Sequence, residues 1–100
     1  MDFDFRTNHL EKLYTEEKDA HKYPPGVVDR FFQTLQIIHN IESERELYVF
    51  KGLRFEKLHN YKGYIDARSV RLNNQYRLIF TIESDAEGKY LYIIDLVDYH

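Results

Sequence analysis

One hundred residues with no cysteine and a formal net charge of −3 leave space for one domain with a modest core, and they exclude disulfides and thiolate-held metal. The start, Met1-Asp2-Phe3-Asp4-Phe5-Arg6, is acidic and mixed, unlike the basic and then apolar start of a signal peptide. The longest apolar stretch, residues 90–97, is interrupted by Asp95 and is far too short for a bilayer, so the expectation is a cytoplasmic protein with no membrane partner.

Residues 2–6 alternate like a strand, with Phe3 and Phe5 on one face. Asn8 can cap a helix over about residues 9–21, with Leu10, Leu13 and Tyr14 at helical spacing. Tyr23-Pro24-Pro25-Gly26 interrupts it. A second helix follows to Asn40, with Pro25 in its first turn and Val28, Phe31, Phe32, Leu35 and Ile38 as its apolar stripe. The two form an antiparallel hairpin. Beyond it the period changes. Residues 47–50 and 53–58 read as short extended pieces around Gly52. Residues 64–72 and 75–83 read as strands flanking Asn73-Asn74, a dipeptide that tolerates the positive φ of a two-residue turn. Asp85-Ala86-Glu87-Gly88 makes another turn, and residues 89–98 the last strand. The expected fold is α+β: one domain over residues 1–100, its N-terminal strand and helical hairpin packed on one face of an antiparallel sheet, in the order β-α-α-β-β-β.

Parity then sorts the faces. Tyr76, Leu78, Phe80 and Ile82 make the apolar side, with Val70 and Leu72, while Ser69, Arg71 and Arg77 share the open side. Arg68 falls on the apolar side, which favours a structural role for it. Charge is just as uneven. Residues 51–77 carry a net +5 between flanks of net −4 each, and such a local field attracts anions whatever the total.

The segment Tyr64-Ile65-Asp66-Ala67-Arg68-Ser69-Val70-Arg71-Leu72-Asn73-Asn74-Gln75-Tyr76-Arg77-Leu78-Ile79-Phe80, the ending Val97-Asp98-Tyr99-His100, and the stretch Leu53-Arg54-Phe55-Glu56-Lys57-Leu58 together resemble the HigB-type toxins of the RelE group, also called the plasmid maintenance killer family. The resemblance spans the whole chain. It implies a toxin of a type II toxin–antitoxin system, a ribosome-dependent, metal-independent endoribonuclease that cuts messenger RNA in the A site and stops translation. It implies no cofactor. The implied partners are a HigA-like helix-turn-helix antitoxin, the ribosome and messenger RNA, with operator DNA reached only through the antitoxin. Carried over by position, Arg77 matches the family's catalytic arginine, and Asp98, Tyr99 and His100 match its C-terminal cluster. Two departures stand out. His59 replaces a lysine considered functional in the family, with Lys57 and Lys62 nearby to supply charge. Glu56 stands where some members carry a histidine.

Metal-free RNA cleavage needs a base for the 2′-hydroxyl, a cation for the phosphorane, and an acid for the leaving oxygen. An imidazole with a pKa near about 6.5 offers both protonation states, which suits His100 and, as an alternative, His59. Asp98 can orient or take a proton, and Tyr99 can stack on a base. Arg77 is the candidate for charge stabilisation; its plain alternative is a cross-strand ion pair to Glu83 or Asp95. Lys57, Lys62, Arg71 and Arg68 are candidate contacts to the RNA backbone. His9, His21 and His39 have no metal-ligand spacing. Two rival readings stay open: a toxin that binds its target without cutting RNA, as gyrase-inhibiting ParE-like relatives do, and a weakly active domain kept for antitoxin binding and co-repression.

Overall fold

The computed structural model describes residues 1–98; Tyr99 and His100, two of the expected site residues, lie outside the described residues. β1 (Asp2–Phe5) turns Phe3 and Phe5 toward the core and Asp2 and Asp4 outward. α1 (Asn8–Glu16) starts one residue earlier than expected, because Thr7 is the cap: its Oγ1 accepts the Leu10 N–H at 3.2 Å. It also ends about five residues earlier. Glu17 adopts a left-handed φ of 55°, and the N–H groups of Glu17 and Lys18 close on the Leu13 and Lys12 carbonyls. A glutamate gives no sequence signal for that stop. A short 3₁₀ turn (Ala20–Lys22) leads to the prolines.

α2 (Val27–Asn40) begins after Gly26, whose φ is 89°, so Pro25 precedes the helix instead of occupying its first turn. Val27, Phe31, Thr34, Leu35 and Ile38 are its buried stripe, with Val28 and Phe32 half-buried. α3 (Arg45–Val49) replaces the extended piece expected at 47–50. Leu47 alone of that turn is buried; Tyr48 and Val49 are β-favouring by type yet face outward. A 3₁₀ turn (Lys51–Leu53) and a left-handed Arg54 follow. Only Glu56–Lys57 then forms β2, a fraction of the expected stretch 53–58.

β3 (Arg68–Arg71) is shorter than expected, since Tyr61 and Tyr64 close a separate turn over Lys62 and Gly63, both at positive φ. β4 (Tyr76–Asp85) follows a loop in which neither Asn73 nor Asn74 takes a positive φ. The Asn73 side chain closes that loop instead, accepting the Gln75 and Tyr76 N–H groups at 2.8 and 2.6 Å. β5 (Gly88–Asp98) completes a five-stranded sheet in the order β1-β5-β4-β3-β2. The sheet is mixed, not purely antiparallel: β1 leaves through the helices and runs parallel to the last strand, Phe3 beside Leu91 and Phe5 beside Ile93.

The helices cover one face of the sheet, as the apolar pattern requires. Leu10, Leu13, Phe31, Leu35 and Ile38 meet Val70, Leu78, Phe80, Leu91 and Ile93 there. A second, smaller cluster of Leu58, Ala67 and Ile79 lies apart from it, with Tyr61, Tyr64 and Val97 packed around it. The segment 58–67 therefore covers part of the face that parity alone leaves open. Ile79 is fully buried as a result, and its ladder partner Ser69 is fully buried too.

Candidate functional site

Arg71 and Arg77 stand directly opposite each other across the β3–β4 ladder. Like charges so placed weaken a strand pair unless something else holds them. Arg77 donates from Nε to Ser69 Oγ at 2.7 Å and from Nη2 to the Arg54 carbonyl at 2.5 Å, with the Ser69 carbonyl at 3.5 Å. Glu56 Oε2 lies 3.8 Å from the same Nη2. The Arg77 side chain is only 12% exposed. Arg71 donates from Nε to the Asn73 carbonyl at 3.0 Å, and its Nη2 reaches Asn74 Oδ1. Two guanidiniums are thus fixed side by side, both bonded to neutral acceptors and Arg77 paired with Glu56 as well.

Among the described residues Arg77 pairs with Glu56, not with Glu83 or Asp95. Glu83 lies opposite Tyr90, toward the far end of the β4–β5 hairpin. Asp95 accepts the Tyr61 hydroxyl at 2.8 Å and pairs with Lys62 at 3.6 Å. Glu56 enters through register: it lies opposite Ser69, so it shares the face of Ser69 and Arg77. A two-residue strand carries no alternation by which sequence could have shown this.

The remaining expected residues divide by location. Lys57 pairs in register with Arg68, on the opposite parity from Glu56. Arg68 reaches Glu44 at 3.4 Å and the Asp66 carbonyl at 3.2 Å, with Nε buried and unpartnered, consistent with its parity toward the helical side. Lys62 sits exposed at its turn, 5.4 Å from the Tyr61 ring centre. His59 is exposed in the segment after β2 and lines a 320 Å³ hollow with Lys57, Ile65, Asp66 and Arg68. Asp98 lies opposite Tyr76, one position beyond the Arg77–Val97 pair, with Gln75 Nε2 3.4 Å from Oδ2. Parity therefore sets Asp98 on the side of Tyr76 and Leu96, not of Arg77. The described residues bring together Arg77, Arg71, Ser69, Glu56 and the Arg54 carbonyl; they do not bring His59 or Arg68 to that point.

Tyr23 packs its ring against Tyr76 and shares a 2.8 Å hydrogen bond with His9 Nε2. Burial, and secondarily the charges of Asp95, Tyr76 and Asp19, raise its hydroxyl pKa above the ordinary value. Among the described residues no three His, Asp or Glu side chains are gathered as metal ligands. No helix among the described residues is long and apolar enough to cross a membrane. Chemically, the Arg71–Arg77 pair is suited to hold an anion with two acceptor oxygens.

Residues 3–100 match the family model described as RelE-like toxin of type II toxin-antitoxin system HigB. The chain is 36% identical over 81 residues to Toxin HigB-1 of Vibrio cholerae serotype O1, an alignment covering 80% of this chain and 82% of that one. Among solved structures, a YoeB/ParE toxin from Agrobacterium tumefaciens aligns over the full length of both chains at 14% identity and a TM-score of 0.55. The YoeB dimer structure from Staphylococcus aureus aligns over 100% of this chain and 97% of that one, at 18% identity and a TM-score of 0.51. Both likenesses concern the fold.

Proposed function

This chain belongs to the HigB-like toxins, the RelE-like toxins of type II toxin–antitoxin systems, and from that premise we propose that it is a ribosome-dependent endoribonuclease acting on messenger RNA in the cytoplasm. The observation that carries the reading is the rung of two arginines, Arg71 and Arg77, held on one face by the Ser69 hydroxyl and the Arg54 and Asn73 carbonyls, with Glu56 3.8 Å from Arg77. Such a rung gains most when a phosphate enters between its charges.

In the proposed reaction the 2′-oxygen attacks phosphorus, the bond from phosphorus to the 5′-oxygen breaks, and a 2′,3′-cyclic phosphate and a 5′-hydroxyl result. Arg77 stabilises the charge that builds on the phosphorane oxygens. His100 exchanges the two protons, Asp98 orients it, and Tyr99 stacks on a base. Glu56, 3.8 Å from Arg77, is a further carboxylate that can serve as the base for the 2′-hydroxyl. Arg71, Lys57 and Lys62 hold the backbone, while Arg68 contributes only by giving up Glu44. So few catalytic groups need the ribosome to hold the message in line. A HigA-like antitoxin is the proposed neutralising partner.

The test is induction of the chain without its antitoxin. Growth should stop and translated messages should be cut, with Arg77→Ala and His100→Gln both silent. Arrested cells with intact messages would move the reading to a non-cutting toxin, and toxicity in both variants would end the ribonuclease reading.

A further inference from the structure

Three consecutive large apolar residues, Tyr48, Val49 and Phe50, stand 50%, 63% and 44% exposed. Solvent-facing apolar residues scattered singly are ordinary; a contiguous ridge is not. Beside this ridge runs a 650 Å³ groove between α2 and α3, floored by Ile37, Ile41, Val49 and Phe50 and edged by amide side chains. At Phe50 it joins a 430 Å³ depression bordered by Lys51 and Arg54.

We propose that this α2–α3 groove is the docking surface for an acidic, amphipathic segment of the cognate antitoxin. The apolar floor would take the segment's aliphatic side chains at helical spacing, and the amide edge its polar flank. The charges at the Phe50 end select the occupant. Lys51 and Arg54 pair with no carboxylate among the described residues. Glu46, which borders the groove away from that end, accepts the Glu42 N–H on Oε2 at 2.9 Å. The Phe50 end is therefore net positive, and carboxylates on the part of the segment that lies there complement it. A second copy of this chain is the poorer occupant. A two-fold contact sets the same patch against itself, so both copies would bring Lys51 and Arg54 into one interface with no carboxylate from the Phe50 end to offset them.

This surface is distinct from the face that carries the Arg71–Arg77 rung, although Lys51 and Arg54 belong to the same basic 51–77 stretch. It also has a route to that face, because the carbonyl of Arg54 is the acceptor that holds Arg77. The inference rests on the chain being a toxin with a protein partner and not on RNA cleavage, so intact messages would leave it standing.

The experiment measures affinity of the full chain for its cognate antitoxin by calorimetry at low and high salt. Val49→Arg should weaken binding roughly a hundredfold. Lys51→Glu should weaken it about tenfold and flatten the salt dependence. Ile65→Arg, a control in the 58–67 segment, should bind like the parent. Circular dichroism verifies folding, and amide exchange in the parent complex should show new protection over residues 45–51. Parent affinity in both Val49→Arg and Lys51→Glu, or protection confined to the 68–77 hairpin, overturns the proposal. So does an isolated chain that is already a dimer and that Val49→Arg dissociates, since a second copy would then cover the ridge.

Discussion

Arg77 and Ser69 are joined across the β3–β4 hairpin by a 2.7 Å hydrogen bond from Nε to Oγ, and Ser69 is fully buried. The serine hydroxyl fixes the plane of the guanidinium from below, while the Arg54 carbonyl fixes its edge. Ser69→Ala removes the acceptor and leaves a charged donor turned toward an apolar methyl. We predict a loss of about 1–3 kcal/mol in urea unfolding, accompanied by reduced toxicity. Parent stability in the alanine variant would mean that the hydrogen bond contributes nothing net.

Arg77 reads from the sequence as an open-face residue that can be truncated at little cost. Its burial and its acceptors reverse that expectation. Arg77→Ala should lose about 1–3 kcal/mol of stability, through the orphaned Ser69 hydroxyl and Arg54 carbonyl, and about a hundredfold or more in message cleavage. Arg77→Lys should recover little of the activity, because one ammonium cannot bond both acceptors and still present a fork to phosphate. Cleavage restored in Arg77→Lys would show that charge alone suffices.

Arg54 holds its carbonyl toward Arg77 from a left-handed backbone, with φ 50° and ψ 50°. Glycine reaches that conformation without strain, whereas a β-branched residue does not. Arg54→Gly should therefore keep the unfolding midpoint of the parent or exceed it, and Arg54→Val should lose about 1–2 kcal/mol. Message cleavage should rank with the backbone, higher in Arg54→Gly than in Arg54→Val. The reverse order would show that the arginine side chain matters and the carbonyl does not.

The raised pKa of Tyr23, due first to burial and then to Asp95, Tyr76 and Asp19, means that the folded state favours the neutral phenol. That contribution is fully present below the unfolded value of 10.0 and is lost as pH climbs through the higher folded value. Tyr23→Phe cannot ionise and should lack this alkaline decline. At neutral pH it should be about 0.5–1.5 kcal/mol less stable, for want of the hydrogen bond to His9. Urea midpoints followed from about pH 8 to about pH 11 test this, and parallel curves for parent and variant would refute it.

Sequence by itself determined what is local. Period two put Ser69, Arg71 and Arg77 on one face of a hairpin and Arg68 on the other. The apolar spacing of 27–40 made a helix, and the hairpin and terminal residues carried the family, because each of these signals lies within one short segment. The tertiary structure decided what depends on distant partners or on a backbone choice without a side-chain marker. β1 found β5 in parallel, an edge pairing between the two ends of the chain that no local pattern encodes. Left-handed stops fell at Glu17, Asp19 and Arg54, where no glycine announces them. Residues 48–50, strand-like by composition, ended as an exposed apolar ridge because only Leu47 of that turn found the core. The segment 58–67 folded over the sheet and covered Ile79, while the pairing of β2 with β3 brought Glu56, not Glu83 or Asp95, to Arg77. Residue types and their alternation thus fixed which side chains share a face, but only three-dimensional packing set which of them touch.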